Sequence, residues 1–142
     1  MIVVANLFAG FTSAAAAQEL GVGIKVPLQI YAALGLTERL TFEMGVPLAF
    51  GPAASLAAVG QLKLWITTLD ISGFEALPYL GAGGHVGVTT RGAVTIIQLM
   101  FHGLVGIDFP IPNTSFTLLG EVWIVAGEGL GFVYNLGVRY DF

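Results

Sequence analysis

The charged residues of this chain fall in only two kinds of place, and that pattern constrains its fold more than any other feature. Glu19, Glu38, Arg39, Asp70, Arg91 and Glu128 lie in or beside short stretches rich in Gly, Pro, Asn, Asp, Ser or Thr, or marked by charge. The other eight, Lys25, Glu43, Lys63, Glu75, Asp108, Glu121, Arg139 and Asp141, lie inside apolar segments. Each is on the face opposite the apolar side chains of an extended strand. Phe42, Met44, Val46 and Leu48 oppose Glu43; Leu62, Leu64 and Ile66 oppose Gln61 and Lys63; Phe116, Leu118, Val122 and Ile124 oppose Glu121. A period of two with every in-strand charge on one face describes a wall with lipid outside and polar side chains inside.

Turn signals near 12–19, 35–38, 51–55, 70–73, 89–92, 110–113 and 126–130 divide the chain. They predict eight strands at 2–11, 20–33, 39–50, 57–68, 74–88, 93–109, 115–125 and 131–142. An even count puts both ends of the chain on one side of a closed sheet. Residues 1–18 resemble a secretory signal in part, with an apolar stretch and then Ala14–Ala17, but lack a basic start. Without them the predicted count falls to seven, so 2–11 is read as a strand. The whole chain, 1–142, is expected to form a single transmembrane barrel domain.

Composition agrees with that reading. The chain is 56% hydrophobic and only 10% charged, where average soluble domains carry roughly 25% charged residues. A soluble barrel or sandwich would turn its charges to water and need more of them. A helical bundle is disfavoured too. The best apolar window, 93–107, is shorter than the roughly 20 residues of a spanning helix and contains Gln98 and His102. The absence of cysteine excludes thiol chemistry and disulfides. A net charge of −4 without a basic run gives no footprint for nucleic acid.

The last segment carries a resemblance. Tyr134, Leu136, Val138, Tyr140 and Phe142 share one face, Asn135, Gly137, Arg139 and Asp141 share the other, and the sequence ends on an aromatic residue. This resembles the C-terminal strand of the small eight-stranded outer-membrane β-barrels of bacteria. The resemblance implies an antiparallel up-and-down transmembrane barrel in the outer membrane with both termini periplasmic. It also implies that the five alternating residues are a signal read by the outer-membrane assembly machinery.

Centring each predicted hairpin on its break gives a register. Glu43 then faces Lys63, Lys63 faces Tyr79, Tyr79 faces His102, and His102 faces Glu121. Asn135 falls near Glu121, and Asn6 near Lys25. The expected interior is a polar belt of Asn6, Lys25, Glu43, Lys63, Tyr79, His102, Glu121 and Asn135. An eight-stranded barrel is just wide enough for side chains to fill, so the belt predicts a plug of salt bridges.

Other chemistry has little support. His85 and His102 are the only histidines, with no carboxylate at metal-ligand spacing, so no metal or other cofactor is expected. Ser13, Ser55, Ser72 and Ser115 lie in or beside breaks, away from both histidines, which disfavours a lipid-modifying acyl transferase. Short breaks argue against a large external binding surface. Pro27 and Pro47, placed in neighbouring strands and facing inward, could weaken that strand pair into a lateral seam. The leading expectation is a non-enzymatic structural or anchoring barrel. Its partners would be membrane lipids, the assembly machinery and an envelope protein packed on rim or wall. The alternative is passage of small hydrophobic molecules or ions through the barrel or the seam.

Overall fold

The computed structural model describes residues 19–26, 29–47, 54–126 and 129–142. Nine strands lie among them: β1 (Leu20–Val26), β2 (Gln29–Gly35), β3 (Leu40–Pro47), β4 (Ala54–Trp65), β5 (Leu69–Ile71), β6 (Phe74–Arg91), β7 (Val94–Pro110), β8 (Phe116–Ala126) and β9 (Leu130–Asp141). Eight of them form the wall in the order β4-β3-β2-β1-β9-β8-β7-β6, and pairing of β4 with β6 closes it. All these pairings are antiparallel. The short β5 folds back on the start of β6 outside the closed circuit. The architecture is an all-β, closed, eight-stranded antiparallel barrel.

The eight strands are not the eight that the breaks mark out. The segment predicted as one strand over 20–33 is two, and Lys25 lies opposite Gln29. The chain therefore reverses between Val26 and Gln29. Reversal about residue 27 returns odd-numbered residues to the inside, so the alternation of period two runs through the hairpin unbroken. Proline at 27 is the only local signal of a strand end, because it has no N–H to give a ladder. With this extra hairpin the circuit closes from Leu20 onward, and the argument that residues 2–11 are needed for an even count fails. The segment 2–11, with Asn6, lies outside the described residues, as does Pro27.

Turn chemistry fixes the register. Between Ile71 and Phe74 stand Ser72 and Gly73, with φ of 55° and 86°. Two positive φ values define the tight hairpin turn whose twist matches its flanking strands. The Asp70 carboxylate braces it by accepting the Gly73 N–H at 2.8 Å. Gly92, φ 60°, turns β6 into β7, and Asn113, φ 61°, lies between β7 and β8. Thr89, Thr90 and Arg91, predicted as a break, continue the ladder up to Arg91 opposite Val94.

Inside and outside follow the alternation. Ile24, Ile30, Val46, Leu62, Leu64, Leu80, Val105, Leu118 and Leu136 are exposed on the outer face. Lys25, Gln29, Glu43, Gln61, Lys63, His102, Asp108, Glu121, Asn135 and Arg139 are buried on the inner face. Following the paired residues Gly21, Ala33, Glu43, Gln61, Gly83, His102, Val125 and Gly131 around the barrel returns to the β1 register about ten residues further along. That stagger tilts the strands steeply. It also sets residues far apart in sequence at one level inside the barrel.

The wall has unequal height. β1 and β2 have seven residues each, whereas β6 has 18 and β7 has 17. At the end bearing Leu20 and Phe142 the strands finish close together: the Phe142 N–H donates to the Leu20 carbonyl at 2.9 Å. At the other end β8 stops pairing with β7 at Phe101, and β6 and β7 continue to their turn without it. The rim there is low at β1–β2 and high at β6–β7.

Candidate functional site

Four charged side chains from four strands meet at mid-height. Lys25 Nζ donates to Glu43 Oε2 at 2.6 Å and to Glu121 Oε1 at 3.0 Å. Lys63 Nζ lies 2.6 Å from Glu43 Oε1 and also contacts Glu121 Oε1. The two lysines and two glutamates form a closed square of alternating sign with no net charge. Lys25 and Lys63 are 0% exposed, Glu43 2% and Glu121 3%. Charges so far from water are tolerated only when paired and hydrogen-bonded, and here neighbouring side chains add hydrogen bonds to both carboxylates, while Glu43 Oε1 has the Lys63 ion pair alone. Gln61 Nε2 donates to Glu43 Oε2 at 2.7 Å. Tyr79 OH donates to Glu121 Oε1 at 2.8 Å, and Trp123 Nε1 donates to Glu121 Oε2 at 2.9 Å. Lys63 Nζ reaches Tyr79 OH at 3.2 Å. The Tyr31 ring lies 4.4 Å from Lys25 Nζ, and the Tyr79 ring 4.4 Å from Lys63 Nζ, close enough for cation–π attraction.

Inward glycines make room for these groups. A Cβ on Gly23 would stand 2.6 Å from the Tyr31 ring, and one on Gly106 would overlap the Tyr79 ring. A Cβ on Gly83 would lie 2.7 Å from His102. Large side chains on one strand thus fill the gap left by glycine on the next.

Below the square, toward Leu20 and Phe142, lies a second charged layer. Arg139 Nη1 donates to Asp108 Oδ2 at 2.7 Å, and its Nη2 donates to Asp141 Oδ2 at 3.3 Å. Thr117 donates to the same Asp141 oxygen at 2.9 Å, and Trp65 Nε1 donates to the Thr41 hydroxyl at 3.0 Å. This layer floors an open basin of about 680 Å³ lined by Glu19, Glu38, Arg39, Trp65, Arg139 and Asp141 among others.

Above the square the filling changes character. The His102 ring stacks on Trp123 with centroids 4.3 Å apart, and its Nε2 lies 3.1 Å from Gln61 Oε1. His85 meets His102 edge-on at 4.9 Å and Trp123 at 5.2 Å. Beyond them the interior opens. A Cβ on Gly87 or Gly131 would meet nothing among the described residues within 4 Å.

Of the expected belt, Lys25, Glu43, Lys63, Tyr79 and Glu121 come together. Asn135 is buried directly opposite Glu121. The individual pairings differ from those expected. Glu43 lies opposite Gln61, not Lys63, although the Lys63 side chain reaches back to it. Tyr79 lies opposite Trp65 and Gly106, not Lys63 and His102. His102 lies opposite Gly83 and Val125 and bonds to Gln61, not Glu121. The β3–β4 pairing is centred one residue before its expected position, and the β4–β6, β6–β7 and β7–β8 pairings one or two residues beyond theirs, beside Gly73, Gly92 and Asn113 with their positive φ, so the register shifts by two or four residues. The Asp108–Arg139–Asp141 layer and the roles of Gln61, Tyr31 and Trp123 were missed. The signal for the layer was present: three in-strand charges on the polar face, all near one end.

The other candidates are placed as follows. Tyr134, Leu136, Val138, Tyr140 and Phe142 all face outward and are exposed. Tyr140 packs edge-on against Phe116 and Phe142, with centroids 5.2 and 5.1 Å away. Pro47 is the last residue of β3, opposite Gln29, where a missing N–H costs little. The β2–β3 ladder runs unbroken from Gly35–Thr41 to Gln29–Pro47. The expected weak seam is therefore not found in the described part of that strand pair. Ser72 and Ser115 lie in turns at the Phe142 end, away from both histidines. Ser55 is four positions along β4 from Val59, the residue opposite His85, which is about 13 Å of strand.

No family model matches the sequence, and no curated protein matches it. The fold is that of known outer-membrane barrels. The chain is similar to the N-terminal β-barrel domain of OprF from Pseudomonas aeruginosa, with a TM-score of 0.60 and 15% identity, covering 88% of this chain and 96% of that one. It is similar to Neisserial surface protein A (NspA), with a TM-score of 0.52 and 12% identity over 88% and 94% of the two chains. It is also similar to the Yersinia pestis outer membrane protein Ail in a phospholipid bilayer nanodisc, with a TM-score of 0.51 and 9% identity over 88% and 98%. At such identities the likeness is one of fold: a closed, eight-stranded antiparallel barrel of the outer-membrane type.

Proposed function

We propose that this chain is a non-enzymatic structural barrel of the bacterial outer membrane, sealed by its own side chains and serving as an anchor in the envelope. The observation that carries the reading is the neutral Lys25–Glu43–Lys63–Glu121 square. It occupies mid-height, is buried from both ends, and is held by residues of β1, β3, β4 and β8. The apolar outer face and the fold shared with outer-membrane barrels support the location. In this reading the Leu20 and Phe142 end is periplasmic. Tyr134, Leu136, Val138, Tyr140 and Phe142 are the face read by the assembly machinery, and an envelope protein packs on the rim or wall. Planar-bilayer recording tests the sealed interior, after the folded state is verified by altered gel mobility of the unheated protein. The expected record shows no steady conductance. Steady single-insertion conductance from the folded protein would overturn the reading.

A further inference from the structure

The low rim at β1–β2 has a consequence for the open half of the interior. Taking about 3.3 Å per residue and a tilt near 40°, the seven residues of β1 rise about 18 Å along the barrel axis. The apolar band of an outer-membrane barrel is about 25 Å tall. Only residues 27 and 28 lie between β1 and β2, too few to make up the difference. By the same arithmetic the 17 residues of β7 rise about 43 Å. Hydrocarbon on the β1–β2 side therefore stands higher than the wall that should exclude it.

The surface facing that gap carries apolar side chains beside Gln98 and Thr89. Along β7 every residue from Val94 to Phe101 is exposed, on the inner face as well as the outer. On the inner face Met100 is 37% exposed and Ile96 47%. Met100 lies beside His85, Gln98 beside Gly87 and Ile96 beside Thr89. Val125 and Val133, partly buried against the Trp123 cluster, continue the apolar lining toward the lower wall. Among the described residues, none fills the space left by the missing side chains of Gly87 and Gly131.

We propose that an acyl chain of a surrounding membrane lipid crosses the low β1–β2 rim and lies in the open half of the barrel, against Met100, Val125 and Val133, with the His85–His102–Trp123 cluster beneath its end. This rests on the membrane location proposed above. The polar square stops the chain at mid-height, so the cleft holds lipid without passing it through the barrel. A hydrocarbon occupant covers apolar surface on the inner face of β6–β7 that water would otherwise wet unfavourably.

The absence of cysteine makes a direct test clean. Single variants Met100→Cys (inner face, open half) and Val105→Cys (outer face, near the level of the square) are labelled with a small fluorophore and reconstituted in phosphatidylcholine vesicles. Quenching is then compared between phosphatidylcholine brominated on its acyl chains and iodide in the aqueous phase. Both labels are expected to be quenched several-fold more by the brominated lipid than by iodide. Adding Gly87→Phe, which places a ring in the cleft, should cut lipid quenching at residue 100 severalfold and leave residue 105 unchanged. Iodide quenching at residue 100, with lipid quenching intact at 105, would overturn the cleft and leave the membrane location standing. Loss of lipid quenching at 105 in protein with the folded gel mobility would overturn the location itself, and the cleft with it.

Discussion

The two halves of the barrel interior are built from the same alternating pattern, yet one is filled and the other is open. From the Leu20–Phe142 end up to the square, inward glycines lie against large neighbours: Gly23 against Tyr31, Gly106 against Tyr79, Gly137 against Lys25. From His85 upward, Gly87 and Gly131 face no side chain among the described residues. The difference lies in the opposing wall. In the filled half every strand has a neighbour at the same level, and the small cross-section brings inward side chains into contact. In the open half β6 and β7 rise past the end of β8, and β1 and β2 have already turned back. Binary patterning therefore fixes which way a residue faces. What it touches depends on strand length and register.

Substitutions can break or sharpen this contrast. The largest effect belongs to the square. Glu43→Gln leaves two buried lysines sharing one carboxylate, and should lower unfolding stability by about 3–5 kcal/mol in urea titrations of vesicle-inserted protein. Glu75→Gln, at an exposed position beyond the filled core, should change it by less than about 0.5 kcal/mol. Similar costs at the two sites would mean that the square is not buried as described.

Glycine substitutions come next. Gly23→Ala forces a methyl into the Tyr31 ring and should cost about 1–3 kcal/mol. In the open half Gly87→Ala meets no neighbour, so the same methyl should be neutral or stabilising by up to about 1 kcal/mol. Matching melting shifts for the two variants would erase the distinction between the halves. A smaller effect is expected at the turn that sets the β5–β6 register. Gly73→Ala places a side chain at φ 86° and should cost about 1 kcal/mol. Gly103→Ala, outward-facing with open space around it, should be close to neutral in the same measurement.

How far the sequence is legible follows from the same distinction. Inside and outside were readable almost everywhere. Hairpins centred one or two residues away from their predicted positions move the register by two or four, which keeps the parity of each face. So Lys25, Glu43, Lys63, Tyr79 and Glu121 could be assigned to one interior belt while their direct neighbours were misassigned. The hairpin between β1 and β2 was hidden for the same reason, since reversal about residue 27 preserves alternation. The turn centres had a legible cue in Gly73, Gly92 and Asn113, residues that tolerate positive φ at low cost, but the wider polar stretches around them drew the breaks elsewhere. The height of β6 and β7 was obscured because Thr89, Thr90 and Arg91 have turn-like composition yet stay in the ladder.

The sealed square is tested most directly by nuclear magnetic resonance of the lysine ammonium groups. The chain has only two lysines, Lys25 and Lys63, and both are members of the square. In protein reconstituted in lipid at neutral pH, both ¹⁵Nζ signals should be visible, slowly exchanging with water and coupled through their protons to glutamate carboxylates. Ammonium groups that exchange with water too fast to be observed, in protein whose backbone signals show the folded barrel, would contradict the account.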